Sequence, residues 1–118
     1  MNQQELFKLH ETTCAKALET MRSKNHDYSG GGDPFSNFRG SEILGIHPVV
    51  GILLRMQDKI KRINTFATKG KLEVKNEGVN DAIEDIINYA ILIKGMLNDN
   101  KENPVDKEAI ERLQRIGY

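Results

Sequence analysis

The chain has 118 residues, with seventeen Lys and Arg against seventeen Asp and Glu, so its formal net charge is zero. That length suits one domain with a real core, and the charge balance argues against a grip on duplex nucleic acid or an anionic membrane. No apolar run nears the roughly eighteen residues of a membrane span, and the start Met-Asn-Gln-Gln-Glu lacks the basic-then-apolar signature of a signal peptide. A lone Cys14 cannot form an intramolecular disulfide. A soluble, cytoplasmic protein is expected.

In chain order, residues 3–24 carry Leu6, Leu9, His10, Thr13, Cys14, Ala17, Leu18 and Met21 at helical spacing. Asn2 and Glu5 make a capping pair, and Cys14 reads as packing. Residues 25–34 read as a loop, because Gly30-Gly31-Gly32 and Pro34 oppose a helix interior. A short helical turn is expected at 35–39. His47 before Pro48 is extended, and Pro48 suits the first turn of a helix over 48–67. Val49, Ile52, Leu53, Met56, Ile60 and Ile63 form its apolar face, and Lys69-Gly70 its stop. A polar connection over 71–77 leads to the core helix, 78–97, which is apolar nearly all round from Tyr89 to Leu97. Residues 98–102 break the pattern, and Asn103-Pro104 opens a last helix to about Ile116. The expected fold is all-α: one domain over 1–118, a bundle of about four main helices with a glycine-rich loop after the first.

Two charged stripes follow the spacing i, i+3, i+4, i+7. One is Arg55, Asp58, Lys59 and Arg62; the other is Asp81, Glu84, Asp85 and Asn88. On a helix each set falls within about a third of the circumference. A short connection favours an antiparallel hairpin in which the stripes meet or line one cleft. Carboxylates held near a core need a metal, a cation or a proton. Oxygen ligands one turn apart suit Mg²⁺ shared with phosphate oxygens, and the facing cations suit phosphate. The plainer reading is a set of salt bridges on ordinary helices.

The loop adds a second constellation. Its glycines let backbone approach a ligand, Tyr28, Phe35 and Phe38 supply flat surfaces, and Asn25, Asp27 and Asn37 supply polar edges for a base. Phe35 and Phe38 read as core. The triple glycine is no phosphate loop, since it lacks the Gly-Lys-Ser/Thr ending. His10, His26 and His47 have no zinc-site spacing.

Three separated blocks carry a family resemblance: Lys24-Asn25-His26-Asp27-Tyr28 with Asp33-Pro34-Phe35-Ser36-Asn37-Phe38-Arg39, then Arg55-Met56-Gln57-Asp58-Lys59-Ile60-Lys61-Arg62, then Asp81-Ala82-Ile83-Glu84-Asp85-Ile86-Ile87-Asn88-Tyr89. Over residues 3–97 the chain resembles the nucleotide modification associated domain 1 family, small proteins and domains frequent in bacteriophages. That family is similar, more distantly, to the all-α nucleoside triphosphate pyrophosphatases of the MazG and dimeric dUTPase type. The resemblance implies a MazG-like helical dimer or tetramer and Mg²⁺ held by a Glu-x-x-Glu pair and a Glu-x-x-Asp pair. Asp85 matches the aspartate of the second pair, with Asp81 or Glu84 standing for its glutamate at a shifted position. The first pair is not preserved: Asp58 is followed by the cations Lys59 and Arg62.

Three functions are thus expected to compete. The first is a Mg²⁺-dependent pyrophosphohydrolase of a canonical or modified nucleoside triphosphate. Asp81, Glu84 and Asp85 would hold the ion and carry catalysis, with Asp58 as a further ligand. Arg55, Lys59 and Arg62 would hold phosphates, Asn25, Asp27, Tyr28 and Asn37 the base, and Asn88 a further polar edge. The second is a non-catalytic protein of phage type that binds or sequesters a nucleotide or cyclic dinucleotide. The third is a helical interaction module. A homo-oligomer is expected, because Val49, Val50, Leu53 and Leu54 with the segment 91–93 need more cover than one chain supplies. If phage-encoded, the protein would work in the host cytoplasm.

Overall fold

A computed structural model describes residues 1–29, 32–70, 77–99 and 107–117, the side chains of 25–29, 77 and 107–110 lying outside it. Among the described residues there are four α-helices, one 3-10 helix and no strand: α1 Gln3–Ser29, the 3-10 helix Ser36–Leu44, α2 Pro48–Lys69, α3 Glu77–Asp99 and α4 Lys107–Arg115. The all-α expectation holds. Of the connection expected over 71–77, the break over 98–102 and the helix start at 103–104, residues 71–76 and 100–104 lie outside the described residues. No helix among the described residues is long and apolar enough to cross a membrane.

Each helix begins and ends for a local reason. Asn2 Oδ1 accepts the Glu5 N–H at 2.8 Å, and its amide donates to Glu5 Oε1 at 3.1 Å, so the capping pair forms at the head of α1. α1 then runs to Ser29, five residues past the boundary expected from the sequence, which corrects the start of the loop expected over 25–34; residues 30 and 31 of that loop lie outside the described residues. None of residues 25–29 is Gly or Pro, and adding residues to an existing helix is far easier than starting one. At α2, His47 Nδ1 accepts the Val49 N–H at 3.1 Å, and Pro48 takes the first turn, where its missing N–H has no intrahelical partner to lose. Gly70, at φ 74°, closes α2 by donating its N–H to the Phe66 carbonyl at 3.0 Å.

The nine-residue 3-10 helix is longer than the short turn expected at 35–39. Asp33 organises its entry. One carboxylate oxygen accepts the Phe35 N–H at 3.0 Å, the other takes the Arg39 Nε–H at 2.6 Å, and the Asp33 carbonyl accepts the Ser36 N–H at 3.2 Å. Arg39 also lies 6.0 Å from the Phe35 ring centroid, within cation–π reach.

The core is the buried cluster Phe35, Val49, Ile52 and Met96, with Phe38, Leu53, Met56, Tyr89, Leu92 and Ile93 packed around it. Two glycines let the 3-10 segment lie close to the helices. A Cβ on Gly51 would come 3.3 Å from Ser41 Oγ, and one on Gly95 would come 3.0 Å from Phe35 Cζ.

Elsewhere cover is incomplete. On α1 Ala17 is buried, while Leu6, Phe7, Leu9 and Leu18 are exposed. Cys14, read as packing, is exposed too, its Sγ 3.7 Å from His10 Nδ1. α1 meets α3 and the 3-10 segment, and among the described residues Ala17 is its one buried side chain, tied to α3 through its carbonyl by Asn88. Ile60 on α2 and Ile91 and Leu97 on α3 are likewise about half exposed, so α3 is not enclosed on all sides.

Two substitutions test this account. Gly95→Ala drives a methyl into a buried ring and is expected to destabilise by about 1–3 kcal/mol in urea unfolding. Gly40→Ala, where an added Cβ meets nothing within 4 Å, serves as its control within about 0.5 kcal/mol; equal effects would refute the close-approach argument. The Arg39 hydrogen bond, and then the Phe35 N–H, hold the Asp33 carboxyl below the ordinary aspartate range. A depressed folded-state value means stability present above about pH 4 and lost as pH falls through that lower value. The stability gap between wild type and Asp33→Asn is expected to narrow on acidification towards pH 2; a gap independent of pH would exclude this role.

Candidate functional site

α2 and α3 form an antiparallel hairpin. Lys59 meets Asp85, whereas Val49 and Ile52, earlier on α2, cluster with Met96, later on α3. Lys59 Nζ lies 3.0 Å from Asp85 Oδ2, and the two side chains are only 17% and 19% exposed. Lys24 Nζ approaches the other oxygen, Oδ1, at 3.6 Å from a side chain that is 58% exposed. One turn further along α3, Asn88 donates its amide to the Ala17 carbonyl at 3.0 Å and ties α1 to the hairpin.

Above these groups lies a cavity of about 410 Å³ between α1, the 3-10 segment, α2 and α3. Lys24, Asn37, Arg55, Asp85 and Asn88 line it with polar groups, and Met21, Pro34, Phe38, Tyr89 and Leu92 with apolar ones. Phe38 and Tyr89 meet edge to face, ring centroids 6.5 Å apart at 88°. The Arg55 guanidinium carbon sits 4.9 Å from the Phe38 centroid, a cation–π geometry that fixes the head group. A cavity with apolar walls and a few convergent polar groups is the usual form of a small-molecule site.

A smaller cavity of about 260 Å³ lies beside Phe35, Arg39, His47, Met96 and Asp99. Two of its polar groups already have work: Arg39 is held by Asp33 and Glu42, and His47 caps α2.

The residues picked out from the sequence thus divide. Asn37, Arg55, Asp85 and Asn88 line the larger cavity, and Lys59 reaches it through Asp85. Asp58 pairs instead with Arg62 at 3.5 Å along the exposed face of α2. Asp81 is exposed, and Glu84 is half-buried but does not line the cavity. Asn25, Asp27 and Tyr28 belong to the last turns of α1, and their side chains lie outside the described residues. Lys24 and Tyr89 had not been singled out. Lys24 looks like an ordinary solvated cation near a helix end, and Tyr89 is masked by its apolar neighbours.

A resident Mg²⁺ does not fit the donor set as it stands. Both oxygens of Asp85 face ammonium groups, and among the described residues no three His, Cys, Asp or Glu side chains converge as metal ligands would. The arrangement is instead a neutralised carboxylate beside two cations that open into a partly apolar cavity.

No curated protein and no solved structure matches the chain. The nucleotide modification associated domain 1 family matches residues 24–97, which run from Lys24 through the 3-10 segment and α2 to Leu97 and hold most of the cavity wall. The match spans more than half of the 118 residues, and the chain belongs to the nucleotide modification associated domain 1 family.

Proposed function

We propose that this chain binds a nucleotide in the cavity between α1, the 3-10 segment and the α2–α3 hairpin, with binding rather than turnover as its primary activity. The observation that carries this reading is Arg55. It is a cation lying on an aromatic ring inside a concave site, with no carboxylate in ion-pair contact among the described residues; Asp58, one turn away, is engaged by Arg62. An arginine held that way is suited to phosphate. The Phe38–Tyr89 pair and Leu92 supply apolar surface for a base, and Asn37 and Asn88 supply hydrogen-bonding edges. The family's description, which ties it to nucleotide modification, supports the same ligand class.

The hydrolytic reading, a MazG-like Mg²⁺-dependent pyrophosphohydrolase, draws its support from the spacing of Asp81, Glu84 and Asp85 on α3. It requires Asp85 to exchange two lysines for an ion, and we derive no step through that ion. We further read the open apolar faces of α1 and α3, with Leu6, Phe7, Leu9, Ile91 and Leu97 exposed, as contacts of a homo-oligomer. A nucleotide ligand fits a cytoplasmic protein, working in the host cytoplasm if the chain is phage-encoded.

Calorimetry against canonical and modified deoxynucleotides is expected to find at least one ligand. Arg55→Ala should weaken it tenfold or more, about 1.4 kcal/mol, while Arg62→Ala, on the exposed face, changes it less than twofold. Failure of every nucleotide to bind would end the proposal. Triphosphates incubated with Mg²⁺ should remain intact by chromatography; pyrophosphate release abolished in Asp85→Asn would put the hydrolytic reading in place of simple binding. Light scattering is expected to give a mass at least twice 13.4 kDa, and a monomer at micromolar concentration would remove the oligomer.

A further inference from the structure

The charges that reach the cavity define a narrower ligand class than nucleotides in general. Lys59 does not line the cavity; it sits behind Asp85 at 3.0 Å, little exposed, and neutralises it. Arg62, one turn further along α2, is turned to the exposed face with Asp58. The stripe that looked continuous in the sequence is therefore interrupted, and Lys24 and Arg55 are the cations that open into the cavity among the described residues.

Those two differ in how firmly they are held. Arg55 is fixed on Phe38. Lys24 is not: its contact with Asp85 is 3.6 Å, beyond hydrogen-bond distance, and its side chain is more exposed than buried. A long, flexible lysine stem with three donors can swing from Asp85 to an incoming anion, and Asp85 keeps Lys59 when it does.

Resting on the nucleotide reading, we infer that the cavity takes a nucleotide with a single phosphate group, a nucleoside monophosphate. Lys24 exchanges Asp85 for that phosphate beside Arg55. Two positive charges match a phosphate monoester, which carries about −1.5 to −2 at pH 7. A triphosphate brings more negative charge than Lys24 and Arg55 offset, and among the described residues no further cation lines the cavity, since Lys59 stays with Asp85. The wall also has the right order along α3. Asp85, then Asn88 and Tyr89, then Leu92 run from charged to polar to apolar over seven residues, roughly 10 Å of helix. Phosphate, sugar and base follow one another in the same sequence.

The test is calorimetric titration of the full chain with matched sets of deoxynucleoside, monophosphate and triphosphate for each of the four common bases, in EDTA and again with Mg²⁺. At least one monophosphate is expected to bind tenfold tighter than its nucleoside and tenfold tighter than its triphosphate, equally well in EDTA. Lys24→Ala should weaken monophosphate binding about tenfold more than nucleoside binding, and Lys24→Arg should restore most of the difference. A triphosphate that binds as tightly as the monophosphate, or a monophosphate that needs Mg²⁺, overturns this inference and leaves the nucleotide reading standing. If no nucleoside or nucleotide binds, both fall together.

Discussion

The contact between Lys59 and Asp85, 3.0 Å long and largely shielded from water, sets the level at which α2 lies against α3. A pair placed this way adds little net stability, because desolvation offsets much of the attraction. Its value is positional. An unpartnered carboxylate or ammonium is costly so near a core, so alternative alignments of the two helices that separate the charges are disfavoured. With the charges matched, Arg55 falls one turn from Lys59 and at the height of Asn88 and Tyr89, while Val49 and Ile52 reach Met96. Hydrophobic burial supplies the drive for the hairpin, and the ion pair helps choose its register.

The 3-10 segment completes the site from outside the hairpin. Phe35, the residue just before it, and Phe38 within it have different destinations. Phe35 is buried in the core and contacts α3 where Gly95 has no side chain. Phe38, three residues later, is half-buried and turns one part to the core and another to the cavity. The Phe38 N–H donates to the Phe35 carbonyl at 2.9 Å, so the buried position of Phe35 bears on where Phe38 starts. Asp33 and Arg39 hold the entry to this segment with short charge-assisted contacts. Thus the core and the cavity share a wall, and a change at Phe35 or Gly95 would propagate to Phe38 and from there to Arg55.

Much of this was legible in the chain. The long helices announce themselves through apolar spacing, with Asn2, Pro48 and Gly70 marking ends. The need of Asp85 for a compensating charge was legible as well, but its source was not. Three acids on one helix suggest metal, whereas the actual partners come from α2 and from Lys24, sixty-one residues away, a pairing that only tertiary structure reveals. The 3-10 segment was underestimated because Ser36–Leu44 has no 3.6-residue apolar pattern and contains Gly40. Asp58 and Arg62 share their stripe with Arg55 and Lys59, yet α3 covers only part of its width, and the uncovered part closes on itself along α2.

A chain with no net charge attracts an anion only through local arrangement. At physiological ionic strength the screening length is about 8 Å, so cations on the outer helix faces contribute little to a ligand lodged between α1 and the hairpin. What counts is charge inside the cavity, where low-dielectric walls strengthen each contact. The fold concentrates it by engaging surplus cations elsewhere: Arg62 with Asp58, Arg39 with Asp33 and Glu42, and Lys59 with Asp85. Arg55 and the loosely held Lys24 remain turned to the cavity. Among the described residues, Arg39, Lys59 and Arg62 are thus engaged within the protein, while Arg55 and Lys24 face the cavity. In such an arrangement any affinity for phosphate would depend on the geometry of two side chains rather than on the overall field of an electrically neutral helical domain.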